Sequence, residues 1–191
     1  MPLRSQRKTD FLFIGEFGMN FLEKDLEEII FTSSRETLAK RGLFINKKEN
    51  FKRQLKIGNY GIADLVSFKR PFYHKDFKEV QKGLITVYEL KKEKISISSF
   101  MQAANYLHGI KSFMKKRGLD ENYDYSIRLI GKEVDMHSSF VFLPELISAY
   151  TYDERIERPS LFYFSSYIYK YDIDGINFTE IQGYKLTNEG F

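Results

Sequence analysis

The chain has 191 residues, 42% of them hydrophobic and 29% charged, which is enough apolar content for one buried core and argues for a single folded domain rather than disorder. It has no cysteine, so disulfides and thiolate metal sites are excluded and a cytoplasmic location is expected. Thirty Lys plus Arg against 26 Asp plus Glu leave a formal charge of +4, a mild bias that suits a polyanionic partner and equally suits an ordinary basic surface.

Residues 1–10 read as a loose basic tail. The apolar run from Phe11 to Ile14 is broken by Glu16 and is far too short for a signal segment or a membrane span, so no membrane partner is expected. Leu22, Leu26, Ile29 and Ile30 recur at helical spacing, and this predicts a first helix from about Asn20 to Lys40 or Arg41. Asn20 would cap it, Glu23 would be the capping-box acid, and Gly42 would stop it; Glu27 and Glu28 read as solvated helix-face acids.

Phe51 to Ile57 alternates, and Gly58-Asn59-Tyr60-Gly61 forms a turn, so an antiparallel hairpin leads into a strand containing Gly61-Ile62-Ala63-Asp64-Leu65-Val66. A polar connection from Lys69 to Lys82 precedes the next strand, Leu84 to Lys91. With a side-chain period of two, Ile62, Asp64 and Val66 share one face, as do Ile85, Val87, Glu89 and Lys91. Two carboxylates and an ammonium thus fall among aliphatics, where they are costly unless paired, hydrogen-bonded or bound to a metal. The like charges of Asp64 and Glu89 should raise at least one carboxyl pKa.

The second helix is predicted over Ser99 to Arg117, with Phe100, Ala103, Ala104, Leu107, Ile110 and Met114 on its apolar side and Gly118 behind its basic last turn. A strand from Tyr125 to Ile130 follows. Further on, a short helix is expected around Pro144 to Ala149, then a strand from Leu161 to Tyr171 and, after the Asp172-Ile173-Asp174-Gly175 turn, another from Ile176 to Ile181. Strand, crossover helix and strand imply parallel neighbours, so the sheet should be mixed. The three histidines, His74, His108 and His137, show no ligand spacing, which argues against zinc.

Asp64 followed by Glu89-Leu90-Lys91, in strands between two helices, resembles the PD-(D/E)xK nuclease superfamily, with Ala63 where the signature has proline. Glu23-Lys24-Asp25-Leu26 is similar to the Glu-x-x-Leu helix of NucS-like and archaeal resolvase-like branches, and Gln102 with Tyr106 is similar to the Gln-x-x-x-Tyr helix motif of RecB-like nucleases. The resemblance covers residues 20–131. It implies a restriction-endonuclease-like α/β core with a mixed four- to five-stranded sheet flanked by helices, residues 132–191 forming a β-rich C-terminal extension within one domain.

The activity it implies is a divalent-metal-dependent nuclease acting on DNA, with Mg²⁺ held by Asp64, Glu89 and the Leu90 carbonyl and with Mn²⁺ able to substitute. Lys91 would hold the attacking water or offset developing charge; Glu23, Gln102 and Tyr106 would support the site. A homodimer is a further implication. The ordinary readings stand beside these: Glu23 as a capping acid, Gln102 as the capping-box partner of Ser99, and Tyr106 as helix packing. The alternative for the whole chain is a nuclease-fold subunit that binds nucleic acid or a protein partner and does not cut.

Overall fold

A computed structural model describes residues 22–74, 79–135, 139–143 and 162–181. Helix α1 spans Glu23–Thr32 and α2 spans Arg35–Lys40, so the single helix expected to reach Lys40 is two. The division falls at Ser33 and Ser34, both extended, where the Ser34 hydroxyl accepts the Thr37 N–H at 3.1 Å and caps α2. Asn20, like the 1–10 tail, His137 and the helix expected at Pro144 to Ala149, lies outside the described residues. The acid that reaches back over the start of α1 is Asp25, which accepts the Leu22 N–H at 2.8 Å, and not Glu23. That correction leaves Glu23 available elsewhere.

Strands β1 (Asn50–Lys56), β2 (Ile62–Lys69) and β5 (Gly83–Leu90) pair antiparallel, as the hairpin reading expects. The connection between β2 and β5 carries its own small hairpin, β3 (Phe72–His74) with β4 (Glu79–Gln81). A two-residue strand β6 (Lys94–Ile95) leads into α3 (Ile97–Lys116), which crosses over to β7 (Tyr123–Gly131) parallel to β5. After β8 (Glu133–Val134), the strands β9 (Phe162–Asp172) and β10 (Gly175–Glu180) complete a six-stranded sheet in the order β1-β2-β5-β7-β9-β10. The sheet is mixed, as expected. It is larger than the four or five strands anticipated, because β9 runs parallel to β7 and joins the central sheet, so these C-terminal strands are integral to the core.

Each sheet face buries its own cluster. Leu26, Ile30 and Leu38 of α1 and α2 pack on Leu65, Tyr88, Leu90, Ile130 and Tyr167, while Ala103, Leu107 and Ile110 of α3 pack on Val66, Ile85, Val87, Ile127 and Leu129. This two-sided burial explains why β5 reads as an almost continuous apolar run. Among the described residues no helix is long and apolar enough to cross a membrane.

Gly42 ends α2 as anticipated, with φ +90°, and the Leu43 N–H returns to the Leu38 carbonyl at 2.9 Å. Arg41 then binds β10: its carbonyl accepts the Phe178 N–H at 2.7 Å and its guanidinium donates to the carbonyls of Asp174 and Ile176. A Cβ on Gly42 would stand 2.0 Å from the Phe178 carbonyl oxygen, a backbone atom that cannot step aside. Gly42→Ala is therefore expected to cost about 2 kcal/mol or more, from left-handed strain and displacement of β10 together. Thermal unfolding should show a loss of roughly 4–8 °C.

Candidate active site

Strands β2 and β5 pair from Lys69 with Leu84 up to Leu65 with Tyr88, and no further. Strand β5 continues against β7 as far as Leu90 with Ile130, so beyond Tyr88 its β2-facing edge needs other partners. The Asp64 carboxylate supplies one, accepting the Leu90 N–H at 3.2 Å. Glu23, freed from capping, supplies the next by accepting the Lys92 N–H at 3.1 Å. Two further groups of this stretch are held: Lys91 N–H bonds the Ile130 carbonyl at 2.8 Å, and the Tyr169 hydroxyl of β9 bonds the Lys92 carbonyl at 2.7 Å.

Period-two alternation holds on β5 and fails on β2. Ile85 and Val87 pack under α3, and Lys91, farther along the same face, reaches the α3 residue Gln102. On β2, however, Ala63 and Val66 lie in the α3 cluster with Leu65 between them in the α1 cluster, and Ile62 is half exposed. The expected common face of Ile62, Asp64 and Val66 is corrected accordingly: the pleat slips by one residue at Asp64, and the half-buried Asp64 carboxylate turns to the gap beside Leu90. It opens into a cleft of about 610 Å³ lined also by Glu23, Lys24, Glu27, Arg53, Gln54 and Lys92.

The Glu89 carboxylate has no exposed surface. Its Oε1 lies 2.7 Å from Lys91 Nζ, at ion-pair distance but off hydrogen-bond alignment, and Oε2 meets no donor. Lys91 Nζ also donates to Gln102 Oε1 at 3.2 Å, and Gln102 Nε2 donates to the Tyr106 hydroxyl at 2.9 Å. Gln102 can do this because α3 starts earlier than expected: Ser96 is its N-cap and Ser99 makes the reciprocal contact, which replaces the anticipated Ser99–Gln102 box. Tyr106 is buried, so its packing and its support of Gln102 coexist.

Burial is the main reason that the Glu89 carboxyl is pushed up to about 7; the Asp64 and Glu23 charges add to it and the Lys91 contact opposes it. Burial likewise raises Asp64, against the Leu90 hydrogen bond and the Lys91 charge, with Glu23 and Glu27 adding to the rise. The expected direction holds, but desolvation outweighs like-charge repulsion. Lys91 sits above its ordinary value: desolvation pulls it down, and the Glu89 contact with the charges of Glu23 and Asp64 overcomes that.

The structure thus brings Asp64, Glu89, Leu90, Lys91, Glu23, Gln102 and Tyr106 to one end of the sheet. It also adds residues that the sequence reading passed over. Glu27, expected to be solvated, is 4% exposed and accepts Arg53 Nε at 2.6 Å together with the Gln54 amide. As a test of fit for a divalent cation, the buried Glu89 Oε2 with no donor, and the Asp64 carboxylate whose charge is felt at Glu89, are hard oxygen donors of the right charge. Among the described residues no group of three His, Asp or Glu side chains converges at ligating distance, so Asp64 and Glu89 would need backbone and solvent oxygens to complete the shell.

A carboxyl raised on folding favours the fold when protonated. Its contribution is complete below the unfolded value near 4.5 and is lost as pH rises through about 7, a swing of about 3 kcal/mol for Glu89. In chelator, stability should fall between pH 5 and pH 8, and Glu89→Gln should remove most of that slope; a variant with the wild-type slope would place its origin elsewhere. No protein-family model matches the chain, and neither a curated protein nor a solved structure does, so the site stands on its own geometry.

Proposed function

We propose that the chain is a divalent-metal-dependent nuclease with a restriction-endonuclease-like core, hydrolysing phosphodiester bonds in DNA. The observation that carries this reading is the buried Glu89 carboxylate, with one oxygen unsatisfied, at the point where β2 and β5 part and Asp64 and Lys91 converge. A purely structural ion pair would satisfy both oxygens of the buried carboxylate.

Asp64, Glu89 and the Leu90 carbonyl are the residues that would hold Mg²⁺ or Mn²⁺. The ion, when bound, supplies charge neutralisation at the phosphoryl oxygens and a water of lowered pKa. Lys91 would orient the attacking water or offset charge on a non-bridging oxygen; the Glu89 contact and the charges of Glu23 and Asp64 favour its protonated form. Gln102 restrains Lys91, and Tyr106 restrains Gln102, so these two are positioning residues. Glu23 fixes the backbone at Lys92 and so the direction of Lys91. Lys24 lines the cleft with the carboxylates and offers a cation for a flanking phosphate.

One observation favours the second reading, a nuclease-fold subunit that binds without cutting: the lack of a third converging side-chain ligand among the described residues. Labelled single-stranded, duplex, flapped and four-way DNA incubated with Mg²⁺, Mn²⁺ or chelator separates the two. Cleavage that needs the metal and falls by at least ~100-fold in Asp64→Ala and in Lys91→Ala is the expected result. Metal at about 1,000 times its dissociation constant should also stabilise the wild type by about 4 kcal/mol. Wild-type protein that is neither stabilised by either metal nor active on any substrate would overturn the nuclease.

A further inference from the structure

Gln54 has φ +46°, and among the described residues it is the one non-glycine with positive φ. It stands opposite Asp64. The β1–β2 ladder pairs Arg53 with Leu65 and Leu55 with Ala63, yet the intervening Gln54–Asp64 pair is missing. Register is the same on both sides of the gap, so no residue has been inserted as in a bulge; both strands rotate by one pleat together. Arg53 and Leu65 meet the α1 side, through Glu27 and the cluster under α1, whereas Leu55 and Ala63 pack in the α3 cluster.

A regular strand would keep residues 53 and 55 on one face and Asp64 in the ladder, where its carboxylate could not sit beside the Leu90 N–H while Leu65 stays in the core. The strained residue is held by a clamp from α1. The Glu27 carboxylate accepts Arg53 Nε on one oxygen and the Gln54 side-chain amide on the other, and Glu28 takes Arg53 Nη1 at 2.6 Å. Arg53 also lies over the Phe31 ring at 5.1 Å. Gln54 itself is exposed and lines the same cleft as Asp64. Strain that a neighbouring element pins beside a cleft points to the site it serves.

We infer that the left-handed turn at Gln54, which the Glu27 clamp holds against the cost of carrying a side chain there, is a positioning device: it releases Asp64 from the β1–β2 ladder and presents it to the gap beside Leu90. This rests on the reading of Asp64 as a metal ligand only for its functional consequence; the structural consequence can be read without any metal. Gln54 and Glu27 touch neither metal nor substrate in this scheme. They act through Asp64.

The test compares Gln54→Gly, which accepts positive φ, with Gln54→Val, which resists it, using Asp64→Ala as the reference for a lost acceptor. Two quantities are read on folded protein: hydrogen exchange at the Leu90 amide in chelator, and Mn²⁺ binding by calorimetry. Gln54→Val is expected to speed Leu90 exchange at least ~10-fold, close to Asp64→Ala, and to weaken Mn²⁺ binding by a similar factor, while Gln54→Gly stays within ~3-fold of wild type in both. If Gln54→Val does not melt cooperatively, Gln54→Ala, which disfavours the same φ less severely, carries the comparison. Leu90 protection unchanged in the valine and alanine variants, or lost equally in the glycine variant, would overturn the inference. A wild type that binds no Mn²⁺ but shows the expected exchange pattern would overturn the metal reading and leave the clamp standing.

Discussion

The constraint on which the site depends is the unpaired edge of β5 beyond Tyr88. Buried or half-buried backbone N–H groups must find acceptors, and β2 has turned away before Leu90 and Lys92 are reached. The chain answers with carboxylates, Asp64 for Leu90 and Glu23 for Lys92. Acidic side chains are thus drawn to this edge by ordinary hydrogen bonding, and they concentrate negative charge there. On the other edge the Ile130 carbonyl holds Lys91 N–H, so the Glu89-Leu90-Lys91 segment is fixed from both sides.

Such an arrangement is not what stability alone would select. A carboxylate with no exposed surface costs several kcal/mol to ionise unless fully paired, and Lys91 pairs only one of its oxygens. Lys91 in turn is shared between Glu89 and Gln102, with Tyr106 behind. Each member of this chain of contacts restrains the next, which narrows where the ammonium can go. An apolar isostere at Glu89 would pack as well under α3 and avoid the desolvation, so the polar group is retained at a cost that a bound cation would offset.

Much of this was legible because charged residues break the apolar pattern of a strand locally. Asp64 and Glu89 stand out within eight-residue strands, with Lys91 just past the end of the second, and Gln102 and Tyr106 stand one turn apart in a helix with clear apolar spacing. The errors fall where a local rule met a distant partner. Glu27 reads as a solvated acid because Arg53 and Gln54 lie 26 and 27 residues away, and no local pattern records that they fold onto it. The pleat slip at Asp64 was invisible for the same reason: Arg53-Gln54-Leu55 contains no glycine or asparagine to announce positive φ. Cap assignments missed by two residues at α1 and three at α3, and each shift changed the role of a site residue, releasing Glu23 in one case and Gln102 in the other.

The C-terminal strands show why distant pairing matters to the chemistry. Read as an extension, β9 and β10 would leave β7 as an edge and the Lys92 carbonyl without Tyr169. In the sheet, β9 covers β7 and sends Tyr169 back across the end of β7 to the loop that follows Lys91. Arg41, just after α2, clasps β10 through three backbone groups, so the helical layer that carries Glu23 and Glu27 is tied to the strand farthest from β1. The site therefore draws on both ends of the described chain at once. Loosening β10 should be felt at Lys92 through β9, although no residue of β10 approaches the carboxylates, because Tyr169 pairs directly with Phe178 in the β9–β10 ladder.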